Sequence, residues 1–222
     1  MPIYNYIATN LKDINQFTQN DMNWRTMHKG RGVKEVDAAL TNYSWFQQAM
    51  KGIPDELSRE KVADFYKQDL YRGFIATLLW GGAHCNYVDH FRSIVYYPDI
   101  TIVSCLENVY NSLQNNGMTE ELFISLCRGG VNHIHGLGPS FFTKVLYFMS
   151  LTLGWYDILI LDTQMWQVYN DFRREDGLEP RKMSNYNFHD YQKYLDYMRN
   201  VPGVSRPDQL EAFLFEKYKH QK

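Results

Sequence analysis

The sequence is poor in cysteine, in long apolar runs and in net charge. Its three cysteines, Cys85, Cys105 and Cys127, form no Cys-x-x-Cys pair, which argues against a disulfide framework and a zinc knuckle and leaves them as reduced, small hydrophobes. No stretch reaches the roughly 18 consecutive apolar residues of a membrane span, and the opening Met1-Pro2-Ile3-Tyr4-Asn5-Tyr6 has neither the basic nor the apolar region of a secretion signal. We therefore expect a cytoplasmic protein, nucleoid-associated if bacterial, with no membrane partner. A formal net charge of −2 and a pI near 6.4 argue against a globally basic surface, so any nucleic-acid site must be a local patch.

What remains is ordinary for a globular chain: 222 residues, 45% hydrophobic and 22% charged, enough to bury a sizeable core as one large domain or two small lobes sharing an interface. One compact, monomeric unit is expected. Aromatic residues are plentiful, with 17 tyrosines. They can stack on bases, but their commoner use is to line cores and interfaces.

Residues 1 to 35 show little periodicity, apart from Trp24-Arg25 and a basic run, Lys29-Gly30-Arg31-Gly32-Val33-Lys34, read as a solvated connector that can also touch phosphate. Helical spacing begins with Val36, Ala39 and Leu40, continues through Trp45, Phe46 and Met50, and ends at Gly52-Ile53-Pro54. Val62, Phe65, Tyr66, Leu70, Phe74, Ile75, Leu78 and Leu79 predict one central core helix stopped by Trp80-Gly81-Gly82. His84, Cys85, Asp89 and His90 follow no standard metal spacing, so no metal and no cofactor is expected.

Pro98-Asp99 opens another helix, with Ile102, Val103, Leu106, Val109, Tyr110 and Leu113 inward, and Asn115-Asn116-Gly117 closes it. Thr119 is the expected N-cap of a helix running through Leu122, Ile124 and Leu126 to Gly129-Gly130. Phe188 to Met198 carries Tyr191, Tyr194, Leu195 and Met198 on one face. Ser205 is expected to cap the last helix, with Asp208 reaching back. Only Ile94 to Tyr97 and Ile158 to Leu161 look strand-like, so the predicted fold class is all-α.

Chemistry concentrates between residues 129 and 169. Gly129-Gly130 ends one helix and Gly138-Pro139 opens the next, with Ile134-His135-Gly136-Leu137-Gly138 between them. Two glycines in such a turn can present backbone N–H groups at the start of the second helix, where the dipole favours an anion such as a DNA phosphate. Pro139 suits the first helical turn. The plainer reading is a tight connection without a ligand. His133 and His135 flank the turn, either touching phosphate or simply exposed. Downstream, Lys144 is the only lysine among the aromatic and apolar residues of its helix, and an apolar link, Ile158 to Leu161, leads into Asp162-Thr163-Gln164-Met165-Trp166. Asp162 is also well placed to cap the helix it precedes, and Lys144 can equally snorkel to solvent.

With these residues the sequence resembles the helix-hairpin-helix DNA glycosylase superfamily. Within it the likeness is to the 8-oxoguanine DNA glycosylases, whose hairpin is followed by a catalytic lysine and then by an apolar-Asp-x-x-Met-Trp element. The resemblance spans Gly129 to about Tyr169. It implies a two-lobed all-α fold, one unit over residues 1–222 with its hairpin and catalytic segment at about 119–170, acting on double-stranded DNA with a damaged or modified base. Asp162 matches the family's catalytic aspartate, with Met165 and Trp166 at the same offsets. The family's lysine usually stands two residues after the second hairpin glycine, where this chain has Ser140; Lys144 lies about one turn, or about 6 Å, further along. Gln164 stands where the family often has histidine.

The roles so implied are Lys144 as nucleophile at C1′, with or without a lyase step, and Asp162 as stabiliser of the sugar cation. Gly136, Gly138, Ser140, His135 and Gln164 would hold DNA backbone. A flipped base needs a stacking pocket, for which Trp80, Phe74 and Phe142 are the aromatic candidates. Two other expectations stay open: a helix-hairpin-helix protein that binds DNA without chemistry, and a helical interaction module without DNA affinity.

Overall fold

The computed structural model describes residues 1–17, 23–26, 47–48, 51–54, 56–81 and 99–218. Within them the fold is all-α, as the periodicity predicts. The basic run from Lys29 to Lys34, the apolar positions Val36, Ala39, Leu40, Trp45, Phe46 and Met50, the His84, Cys85, Asp89 and His90 group, and Ile94 to Tyr97 lie outside the described residues.

The N-terminal stretch, read above as aperiodic, forms two short helices, α1 (Ile3–Thr9) and α2 (Leu11–Gln16). Their signal is sparse but present: Ile3, Ile7 and Ile14 are the residues they bury. The α1 N-terminus meets the carboxylate of Glu175, which accepts from the Ile3 and Tyr4 amides and so offsets the positive end of the helix dipole. The strands described are β1 (Asn23–Thr26) and β2 (Glu56–Ser58), paired antiparallel with Asn23 opposite Ser58 and Thr26 opposite Glu56.

The expected single central helix is two helices, α3 (Arg59–Gln68) and α4 (Leu70–Trp80). Asp69 separates them: its backbone is extended (φ −163°, ψ 127°), and its carboxylate accepts from the Arg72 amide to cap α4. The two helices pack against each other closely because Gly73 has no side chain. A Cβ there would come within 2.3 Å of the Tyr66 ring. Helix α5 (Asp99–Asn116) starts where Pro98-Asp99 predicts and buries Ile102, Leu106, Val109 and Leu113. Thr119 caps α6 (Glu120–Leu126), accepting from the Leu122 amide at 3.2 Å.

Helix α7 (Pro139–Thr152) buries every side chain from Phe142 to Ser150. The run from Ile158 to Leu161 is not a strand. It is an irregular, fully buried link whose backbone groups are met by side chains instead of a ladder: Tyr191 donates to the Leu159 carbonyl (2.7 Å), Tyr194 to the Ile160 carbonyl (2.9 Å), and Thr143 accepts from the Leu161 amide (3.2 Å). Buried backbone must be paired, and here tyrosine hydroxyls do it. Helix α8 (Thr163–Glu175) follows, then a 3-10 turn (Met183–Asn185), α9 (Phe188–Arg199) and α10 (Pro207–Lys217).

Ser205 does not cap α10. Pro207 holds the first helical position, Arg206 precedes it without a side-chain cap, and Asp208 is taken by the Arg206 guanidinium (2.6 Å) instead of reaching back. Ser205 instead bonds to Asn15. One continuous cluster of buried side chains draws on each of the helices α1 to α10, from Ile3 to Tyr218. No described helix is long and apolar enough to cross a membrane.

Candidate active site

Asp162 ends the buried link and begins α8, and its two carboxylate oxygens have separate partners. Oδ1 accepts from the Gln164 and Met165 amides, both at 3.1 Å, which fixes the carboxylate as the helix N-cap. Oδ2 faces Lys144 Nζ at 3.5 Å. Capping therefore leaves one oxygen available. Met165 and Trp166 anchor this end of the helix: both are buried, and the Trp166 indole donates to the Arg181 carbonyl at 2.9 Å.

Lys144 is only 6% exposed. Its Nζ donates to the Ser140 carbonyl (2.9 Å) and Ser140 Oγ (3.3 Å), and lies 5.5 Å from the centre of the Phe141 ring. Burial pulls the amine below the usual lysine range, and the facing Asp162 carboxylate offsets only part of that. Side chains on a helix lean toward its N-terminus. The lysine thus carries its amine back one turn, to the level of Ser140.

One residue not singled out by sequence, and one of the glycines expected to stop the preceding helix, frame this pair. Thr143, next to Lys144, accepts from the amide of Leu161, next to Asp162, and donates to the Pro139 carbonyl at 2.8 Å. A hydroxyl inside an apolar helix face is the only signal it leaves in the sequence. Gly81, at the end of α4, lies against the lysine: a Cβ there would stand 3.0 Å from Phe141 and 3.2 Å from Lys144 Cδ.

The connection from α6 to α7 turns through Gly129 (φ +88°) and Gly136 (φ +85°), and Gly138 caps α7 with Pro139 at its first position. None of the described residues accepts from the backbone N–H of Gly136, Gly138 or Ser140. Gly136 and Gly138 line an open cavity of about 740 Å³ together with Arg128, His133, His135, Cys127 and Phe142. Two histidines and an arginine around unengaged amides make a local patch suited to an anion.

The other predicted residues are more dispersed. Gln164 stands at the start of α8, and its side-chain Nε2 donates to the Phe215 carbonyl on α10. Phe74 is wholly buried and Phe142 nearly so, packed edge-on to Phe123 at 5.2 Å. Trp80 is buried against Phe148 (5.1 Å) and adjoins the lysine only through Gly81. Of the three aromatic candidates, Phe142 alone reaches the hairpin cavity. Among the described residues no group of three His, Cys, Asp or Glu side chains is arranged to hold a metal ion.

A family model described as "Putative 8-oxoguanine DNA glycosylase OGG-like protein" matches residues 14–215, nearly the whole chain. No curated protein and no solved structure matches significantly.

Proposed function

The chain belongs to this OGG-like family, and on that premise we propose that it is a DNA glycosylase that flips a damaged purine out of duplex DNA and excises it, with Lys144 as nucleophile and Asp162 as stabiliser of the sugar cation. A buried amine within 3.5 Å of a carboxylate oxygen, in a family of this description, supports the reading above all.

Breaking the C1′–N9 bond builds positive charge on the sugar, which Asp162 Oδ2 stabilises. The neutral amine of Lys144 bonds to C1′ as the electron pair of the broken bond leaves with the base. The proton released from nitrogen goes to that base. Expulsion of O4′, protonated as it leaves, opens the ring to a C1′=Nζ Schiff base, and loss of a C2′ proton then expels the 3′ phosphate. Gly136, Gly138 and Ser140 amides, with His135, hold the DNA backbone. Gln164 contributes by tying α8 to α10.

The test is a labelled duplex carrying 8-oxoguanine opposite cytosine, incubated with borohydride, comparing wild type with Lys144→Gln and Asp162→Asn. A trapped protein–DNA adduct that vanishes in Lys144→Gln supports an amine nucleophile. No adduct and no base release, even after alkali, sinks 8-oxoguanine as substrate. In that case, duplex binding that weakens with salt would point to a non-catalytic DNA-binding role.

A further inference from the structure

A second buried ion pair lies beside Lys144 and Asp162. Arg59, the first residue of α3, donates to Glu211 of α10 through both terminal nitrogens, at 2.5 and 3.3 Å, and neither side chain is more than 4% exposed. The guanidinium also lies over the rings of Trp80 (5.3 Å) and Tyr147 (5.0 Å). Four helices, α3, α4, α7 and α10, therefore meet on one arginine. Each of the partners leads back to the candidate site. Tyr147 is one turn beyond Lys144, Trp80 precedes the glycine that touches Lys144, and Glu211 is one turn before Phe215, which ties down Gln164 behind the Asp162 cap.

Stability alone does not account for such a pair, because apolar residues of similar size usually fill a buried site as well or better. Charge at this depth does act on its neighbours. The charged groups that act on the amine are Asp162, which caps α8, Arg59 on α3 and Glu211 on α10, and the titratable groups that face this trio are Asp208 on α10, Tyr147 on α7 and Tyr194 on α9. Asp208 is itself paired with Arg206. Against the downward pull of burial, Glu211 raises the Lys144 amine while Arg59 lowers it.

We infer that Arg59 and Glu211 are positioning residues for the Lys144 amine, locking α3, α4, α7 and α10 around it and imposing a fixed field at its nitrogen. The interest of this for catalysis rests on Lys144 being the nucleophile, but the test below does not need DNA chemistry.

In full-length protein labelled with ¹³Cε-lysine, and with Lys144→Arg to assign the resonance, the Lys144 titration is followed in wild type, Glu211→Gln and Arg59→Met. Glu211→Gln leaves Arg59 unpaired, so the Lys144 midpoint falls by about one pH unit or more. Arg59→Met takes away the charge that lowers the amine, so the midpoint rises over the pH range in which the Glu211 carboxyl, itself pushed up by burial, stays ionised. A pair that only holds the scaffold would lower the melting temperature in both variants without moving the midpoint, and that result overturns the inference. Should neither variant fold, wild type decides: the Glu211 carboxyl resonance carries a second inflection at the Lys144 midpoint, and its absence overturns the inference. The two readings fail separately. Moved midpoints without any borohydride-trapped adduct remove the nucleophile and keep the field, whereas an adduct with unmoved midpoints does the reverse.

Discussion

The Nζ of Lys144 lies 2.9 Å from the carbonyl oxygen of Ser140, one turn back along its own helix. Its side chain leans toward the helix N-terminus, as helical side chains do, and so brings the amine to the first turn of α7, facing Asp162. The amine must be neutral to attack, and burial lowers the energy needed to lose its proton. Base release is accordingly expected to rise with pH and level off below the ordinary lysine midpoint of about 10.4. Initial rates under single-turnover conditions from pH 6 to 10 check this. A flat profile in which binding is unchanged would remove the amine from the chemical step.

The same shift fixes a stability change. The folded state disfavours the ammonium form, so between the lowered folded midpoint and the unfolded one the unfolded chain binds more protons, and stability rises with pH. Below the folded midpoint the full cost is present. Lys144→Met removes that pH-dependent cost, so its melting temperature relative to wild type should be most favourable at pH 6 and fall toward pH 10. Paired thermal melts across that range test it, and a difference that stays constant or rises with pH would contradict the direction of the shift.

Asp162 separates capping from charge, since Oδ1 serves the Gln164 and Met165 amides and Oδ2 faces Lys144. Asp162→Asn keeps a good N-cap, so the capping contribution to stability should change by less than about 0.5 kcal/mol while base release collapses. Asp162→Ala loses the cap as well and should cost about 1 kcal/mol more. Denaturant unfolding together with base release distinguishes the two. An Asn variant with near wild-type release would leave Asp162 as a cap alone.

How far the sequence speaks depends on the range of the partner. Asp162 was legible because cap, apolar approach and the Met-Trp offsets are all local, and Lys144 because it is the only lysine in its helix. Thr143, Arg59 and Glu211 were not, since their partners lie 18 and 152 positions away. Apolar composition marked Ile158 to Leu161 as buried, but it cannot say whether a strand ladder or the hydroxyls of Tyr191 and Tyr194 satisfy the backbone. Asp69 shows the opposite case. Periodicity ran unbroken through it, yet its short carboxylate stops one helix and caps the next.

Thr143→Val tests whether the Leu161 tether matters for chemistry. The replacement is similar in shape, but it strands the buried Leu161 N–H, which should cost about 1 to 3 kcal/mol. Asp162 is then held less firmly against Lys144, and single-turnover base release should fall by about tenfold or more while affinity for duplex stays. A variant destabilised as expected but releasing base at the wild-type rate would make the tether purely structural.

Gly138→Ala isolates the hairpin's role in binding DNA. At Gly138 the backbone (φ −83°, ψ 176°) suits alanine, and an added Cβ meets nothing within 4 Å, so the loss of stability should be no more than about 1 kcal/mol. That Cβ would nevertheless stand among the unengaged amides of Gly136, Gly138 and Ser140, where a phosphate has to approach. Duplex affinity measured by fluorescence anisotropy should therefore fall in a folded protein. The salt dependence should be unchanged, because a neutral amide releases no counterion. Arg128→Ala at the same cavity should instead flatten the plot of log affinity against log salt by about one. Gly136→Ala is a poorer probe, since its φ of +85° would strain alanine and mix folding with binding. If Gly138→Ala binds duplex as tightly as wild type, the turn between α6 and α7 is a connection and the DNA surface lies elsewhere.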